Sequence, residues 1–110
     1  MAIFEEFQKI ELRVGRILEI ENFPKTIKPS YKLKIDFGKE IGIKHSSAQL
    51  TKRYSKEDLK GRLIIGITNF PPKNIAGLQS EVLVLGVPDK NHDCVLLRPD
   101  DEIELGVRVY

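Results

Sequence analysis

The chain has 110 residues, 41% of them apolar and 31% charged, with a formal net charge of +2; that is one domain with material for one core, and it argues against disorder. No apolar run approaches the ~20 residues needed to cross a bilayer, and the first ten residues, MAIFEEFQKI, are acidic where a signal peptide would be basic. Cys94 is alone, which excludes an intrachain disulfide and fits a reducing compartment, so no membrane insertion and a cytoplasmic location are expected.

In chain order, Ile3, Phe7 and Ile10 fall at helical spacing with Phe4 beside them, which predicts a short amphipathic helix within residues 1–10. Leu12, Val14, Leu18 and Ile20 share one parity, as a half-buried strand requires, with Arg16 interrupting them and Gly15 able to permit a bulge. Tyr31, Leu33, Ile35 and Phe37 alternate with Lys32, Lys34 and Asp36, predicting a strand that is apolar inward and charged outward. A turn at 38–40 leads into 41–44 as a hairpin.

Ser55, followed by Glu57 and Asp58, reads as an N-cap with acids in the first turn, and Gly61 ends that short helix. The apolar runs 63–67 and 82–87 are too short for helices and rich in β-branched residues, so they are expected as central strands. Pro71 and Pro72 bar regular pairing between them, and Gly77 marks another turn. Residues 95–97 supply a further strand, and Ile103, Leu105, Val107 and Val109 alternate at the end. Many short strands with one helix between the third and fourth is the order of an OB-fold, an all-β Greek-key barrel, here with short N- and C-terminal extensions.

Charge is unevenly placed. Residues 25–73 hold 12 Lys/Arg against 4 Asp/Glu, between two acidic ends, so one cationic face is expected. OB-folds bind ligands on strands two and three and in the adjoining loops. That face would carry Lys32 and Lys34, and its loops Lys25, Lys28, Lys44, Lys52, Arg53 and Lys73. Catalysis is not expected. His45 and Ser46 are adjacent, and neighbours on a strand point to opposite faces; no G-x-S-x-G elbow or phosphate-cradling glycine loop is present. His92 and Cys94 have H-x-C spacing but nothing nearby completes a four-ligand zinc site, so neither metal nor cofactor is expected.

The block from 44 to 86, KHSSAQLTKRYSKEDLKGRLIIGITNFPPKNIAGLQSEVLVLG, together with ELRVGRILEIENFP upstream, resembles the tRNA-binding domain family of OB-fold modules. The SSAQLTKRY segment and the nearly extension-free length resemble its stand-alone CsaA branch, regarded as export-related chaperones. Where many members carry H-P-x-A-D-K-L after the first strand, this chain has Phe23-Pro24-Lys25-Thr26-Ile27-Lys28-Pro29-Ser30-Tyr31-Lys32-Leu33. The resemblance spans roughly residues 7–110, and residues 1–110 are expected to form one such domain.

The resemblance implies binding of unfolded or export-bound polypeptides, extending to the translocation ATPase, with tRNA as the alternative ligand. For polypeptide, the expected contacts are Phe23, Ile27, Lys32, Lys34, Ser46, Ser47, Gln49, Asn69, Phe70, Pro71 and Ile75, an apolar pocket with a cationic rim. For RNA they are Lys25, Lys28, Lys32, Lys34, Lys44, Ser46, Ser47, Gln49, Lys52, Arg53 and Lys73, cations for phosphates and polar groups for bases or riboses. The resemblance also implies a two-fold homodimer built from the 1–10 helix and the 100–110 extension, since an uncovered terminal strand would be an aggregation hazard.

Overall fold

A computed structural model describes all residues, 1–110. The elements, in chain order, are α1 (Phe4–Gln8), β1 (Leu12–Asn22), β2 (Tyr31–Asp36), α2 (Gly38–Ile41), β3 (Ile43–Ala48), α3 (Lys56–Leu59), β4 (Leu63–Ile67), β5 (Lys73–Ile75), β6 (Leu78–Ser80), β7 (Leu83–Val84), β8 (Gly86–Pro88) and β9 (Cys94–Leu96). Five strands form one antiparallel sheet in the order β3-β2-β1-β4-β7, with β5–β6 and β8–β9 as separate pairs. This is an OB-fold barrel, with α3 between the third and fourth strands.

Alternation on β2 sets the core. Tyr31, Leu33 and Ile35 are buried while Lys32, Lys34 and Asp36 stand on the other face. Ile17, Phe37, Leu50, Leu59, Ile64, Val82 and Leu96 complete the interior. Its two tyrosines are satisfied in sequence: Tyr31 donates to the Tyr54 carbonyl at 2.9 Å, and the Tyr54 hydroxyl accepts the Leu96 N–H at 3.1 Å. Buried polar groups left without such partners would each cost ~1–3 kcal/mol.

β1 departs from the single parity expected for Leu12, Val14, Leu18 and Ile20. Its register with β2 shifts between Ile17 and Glu19, leaving Leu18 as the extra residue, so a bulge lies there and not at Gly15. Ile17 and Ile20 consequently join the core side. Gly15 has a different role: a Cβ there would come within 2.7 Å of both Ile35 and Phe37, so its bare backbone lets β2 pack close.

Three further expectations change. The 82–87 run is not one central strand: β7 lies at the sheet edge and β8 turns away to pair with β9. The 71–77 turn region contains half of a hairpin, Lys73–Ile75 against Leu78–Ser80. The alternating C-terminus forms no strand of its own. Instead Gly106 donates to Val14, Val14 to Val107, and Val109 to Leu12, at 2.8–3.1 Å, covering the part of β1 that β2 does not reach.

The N-terminal helix forms as expected, although Ile3 and Ile10 lie outside it. None of its residues is buried, and Ile3 and Phe4 are exposed. Its end is held by polar contacts: Arg108 donates to the Gln8 carbonyl at 2.6 Å, and Asn69 donates to the Lys9 carbonyl at 2.7 Å while accepting the Glu11 N–H at 2.9 Å. No helix is long and apolar enough to cross a membrane.

Candidate ligand-binding cleft

The barrel closes along a seam between β3 and the segment 80–82. Glu81 donates its N–H to the His45 carbonyl at 2.8 Å, and its carboxylate accepts the His45 N–H at 3.0 Å. Ser46 is fully buried and donates its hydroxyl to the Val82 carbonyl at 2.7 Å, and the Ser47 N–H reaches Ser80 Oγ at 3.3 Å. His45 lies on the opposite side of the strand and is exposed, so the two residues form no nucleophile–base pair.

Beyond this seam two projections flank an open cleft. One is the loop 23–30, closed by the Phe23 N–H to Ser30 carbonyl bond at 3.1 Å, with the Thr26 hydroxyl 2.9 Å from the Phe23 carbonyl and 2.6 Å from that of Lys28. Its tip, Ile27, is wholly exposed. The other is the β5–β6 hairpin, where Ala76 (φ 48°) and Gly77 (φ 92°) take left-handed conformations and Asn74 Oδ1 accepts the Gly77 N–H at 2.9 Å. Ala76 places a methyl group at a position where Gly or Asn is usual.

Between them lies a volume of 650 Å³ in which eight of the fourteen lining residues are apolar, Ala48, Leu50, Leu83 and Val84 among them. Its only charged lining residues are Lys25 and Lys28. A smaller groove of 390 Å³ shares Lys28, Gln49 and Cys94 with it and adds Lys52, His92 and Asp93. Neither is lined by Phe, Tyr or Trp.

Among the expected site residues, Lys25, Ile27, Lys28, Ser47, Gln49 and Ile75 line the cleft, and Lys52 lines the adjoining groove. The others sit elsewhere. Phe23, expected in an open turn, is buried at 3% exposure with the Lys32 ammonium 4.9 Å above its ring. Ser46 has no hydroxyl free for a ligand. Lys34 pairs with Glu19 at 3.7 Å and Lys44 with Glu81 at 3.8 Å. Arg53 pairs with Asp89 at 2.9 Å. Lys73 is exposed on β5.

Asn69 spends its side chain on the backbone at the end of α1, so it fastens the N-terminal extension. Phe70, 44% exposed, and Pro71 follow Asn69 in the chain, beside that same clamp and outside the cleft lining. Sequence reasoning missed Thr26, Ser30, Ala48, Leu50, Ala76, Leu83, Val84 and Cys94. Leu83 and Val84 were disguised by belonging to a run that reads as buried strand, whereas Leu83 is half exposed.

Two ionisable groups here are displaced from ordinary values. Burial pushes the Cys94 thiol up, so it is a weak nucleophile. The Asp89 carboxyl is held down, first by the Asp93 N–H and then by the Asn91 N–H and the Arg53 guanidinium. No three His, Cys, Asp or Glu side chains gather as a metal centre would need.

The model of the putative tRNA binding domain family matches residues 12–108. The chain belongs to that family. Methionine–tRNA ligase of Thermococcus onnurineus is 39% identical over 106 residues, 96% of this chain, and that of Pyrococcus furiosus is likewise 39% identical over 106 residues. The chain spans only 14% of the length of either ligase, so the tRNA-binding domain is similar to one part of a larger enzyme.

Among solved structures, the chaperone CsaA of Bacillus anthracis is 50% identical with a TM-score of 0.92, covering 100% of this chain and 99% of that one. The CsaA chaperone protein of Picrophilus torridus is 48% identical at a TM-score of 0.94, with complete coverage of both. A MetRS related protein from Pyrococcus horikoshii follows at 25% identity and 0.87, covering 100% of this chain and 98% of that one.

Proposed function

We propose that this tRNA-binding-type OB-fold domain is a holding chaperone for unfolded or precursor polypeptides in the cytoplasm, serving protein secretion. The observation that carries this is the 650 Å³ apolar cleft with only lysines as charged lining residues. Its floor can bury the apolar side chains that unfolded chains expose, and its rim can hold polar flanks. Similarity over the whole chain to two CsaA chaperones supports the same reading, and a translocation ATPase is the natural recipient of such cargo.

The second reading is tRNA binding through the same basic face, favoured by the family match and by the methionine–tRNA ligase relatives. Lys25, Lys28, Lys52 and Lys73 would contact phosphates and Ser47 and Gln49 riboses or bases. Polypeptide ranks first because single-stranded RNA is usually gripped by stacking aromatic rings, and the cleft and its groove are lined by no Phe, Tyr or Trp. A homodimer fits the exposed Ile3 and Phe4 of the N-terminal extension, the exposed Phe70 beside its clamp, and the exposed Tyr110 at the other end.

The deciding experiment measures suppression of aggregation of an unfolded export substrate and direct binding of tRNA, each at low and high salt. RNA binding should fall steeply with salt through counterion release, whereas apolar polypeptide binding should lose much less. Tight tRNA binding with no protection of the substrate would replace the first reading by the second. Light scattering tests the dimer: a species at 12.6 kDa at micromolar concentration would remove it.

A further inference from the structure

We propose that the cleft selects polypeptide segments in which an apolar side chain is flanked by Asp or Glu. The inference rests on reading the chain as a polypeptide binder and adds which polypeptides it prefers. Three of the cations in the basic middle are already neutralised: Lys34 by Glu19, Lys44 by Glu81 and Arg53 by Asp89. Lys25, Lys28 and Lys52 form no ion pair within the chain, and these three are the cations that line the cleft and its groove. No carboxylate lines the cleft, and Asp93 is the one acid in the groove.

An apolar anchor would sit on Ala48, Leu50 and Val84, between Ile27 on one projection and Ile75 on the other. In an extended segment the residues two positions away stand about 7 Å from the anchor, at about 3.3 Å per residue. Lys25 and Lys28 line the same cleft as that floor, so flanking charges at the rim meet these cations, with screening over ~8 Å at physiological salt. Acidic flanks therefore complement the rim, and basic flanks meet like charge; complementarity of this kind sets specificity more than raw affinity.

The test uses the full chain and three labelled peptides of equal length with one Ile-Leu-Val core flanked on both sides by Glu, by Ser or by Lys. Fluorescence anisotropy at low and physiological salt should rank them Glu, Ser, Lys, with roughly a two- to fivefold gain per flanking carboxylate at low salt. The spread should narrow as salt rises. Lys25→Glu with Lys28→Glu should reverse the order, and Lys25→Gln with Lys28→Gln should flatten it; both lysines are exposed, so melting should match that of the unaltered chain.

Equal affinities, or a preference for the Lys-flanked peptide, would overturn the inference while leaving polypeptide binding intact. Failure of every peptide to bind while tRNA binds would remove the underlying reading, and the inference with it. If the reversed-charge chain loses tRNA but keeps the original peptide order, the rim serves RNA and the inference falls.

Discussion

Ser46 and Val82 are joined across the barrel seam by a 2.7 Å hydrogen bond from the Ser46 hydroxyl to the Val82 carbonyl, with both residues buried. Ser46→Ala would leave that carbonyl without its partner away from water. The expected loss is about 1–3 kcal/mol, read as a lower urea midpoint with an unchanged slope. Ser47→Ala, one residue on and lining the cleft, should cost far less stability and change ligand affinity instead. A Ser46→Ala protein that melts normally but loses ligand would return Ser46 to the site.

Removing residues 103–110 strips the bonds that Gly106, Val107 and Val109 make to Leu12 and Val14. The exposed edge of β1 should then aggregate or unfold, seen as a lower melting temperature and large particles by light scattering. Arg108→Ala is the milder cut: it loses the contacts to Gln8 and Ile10 and should cost about 0.5–1.5 kcal/mol. Its clearest sign should be faster amide exchange in α1 with little change in the barrel.

Lys52 and Arg53 are neighbours with different duties, and single reversals should separate them. Lys52→Glu alters an unpaired cation in the groove; stability should stay within about 0.5 kcal/mol. If tRNA binds here, the slope of log affinity against log salt should flatten by roughly 1. Arg53→Glu breaks the pair with Asp89 and sets two like charges together. It should loosen the 89–93 turn, measurable by amide exchange, and leave the salt slope nearly unchanged.

Asp89 makes the same turn pH-dependent. Its carboxylate accepts the Asn91 and Asp93 N–H groups at 2.8 and 3.0 Å and Arg53 at 2.9 Å, so its folded pKa lies below the ordinary carboxylate value. A depressed pKa means the contribution is whole above the unfolded value and is lost as pH falls through the folded one. Carbon-13 titration of Asp89 should give a midpoint below that of an unstructured Asp, and the 89–93 amides should lose protection over the same acid range. An ordinary midpoint would show that the turn does not depend on the ionised carboxylate.

Local rules carried the strand at 31–36 and the Ser55 cap, which the Asp58 N–H to Ser55 Oγ bond at 3.2 Å realises, whereas the turn expected at 38–40 is the short helix α2 (Gly38–Ile41) and the strand expected at 41–44 begins only at Ile43. The strand and the cap depend on spacing within a few residues: alternation fixes which side of a strand is wet, and a hydroxyl three residues before a free N–H can cap it. The basic middle was legible for the same reason, because charge needs no fold to be counted. What spacing could not reveal was where each cation finds a partner. Lys34, Lys44 and Arg53 meet their acids only through pairing of distant segments, whereas Lys25 and Lys28 in the cleft and Lys52 in the adjoining groove have no acid partner.

The sequence by itself determined the all-β order, the position of the short helix and the sign of the central face, since these follow from period, capping and composition. Tertiary structure alone decided that β1 bulges at Leu18, that Phe23 and Ser46 turn inward, and that Asn69 holds the N-terminal extension. It also decided the cleft, whose lining comes from residues 25–28, 30, 47–50, 75–76, 83–84 and 94. No local pattern links those segments. They meet because β3 must find a partner for its free edge, and the segment at 80–82 supplies it through Ser80, Glu81 and Val82, which sets the hairpin opposite the 23–30 loop.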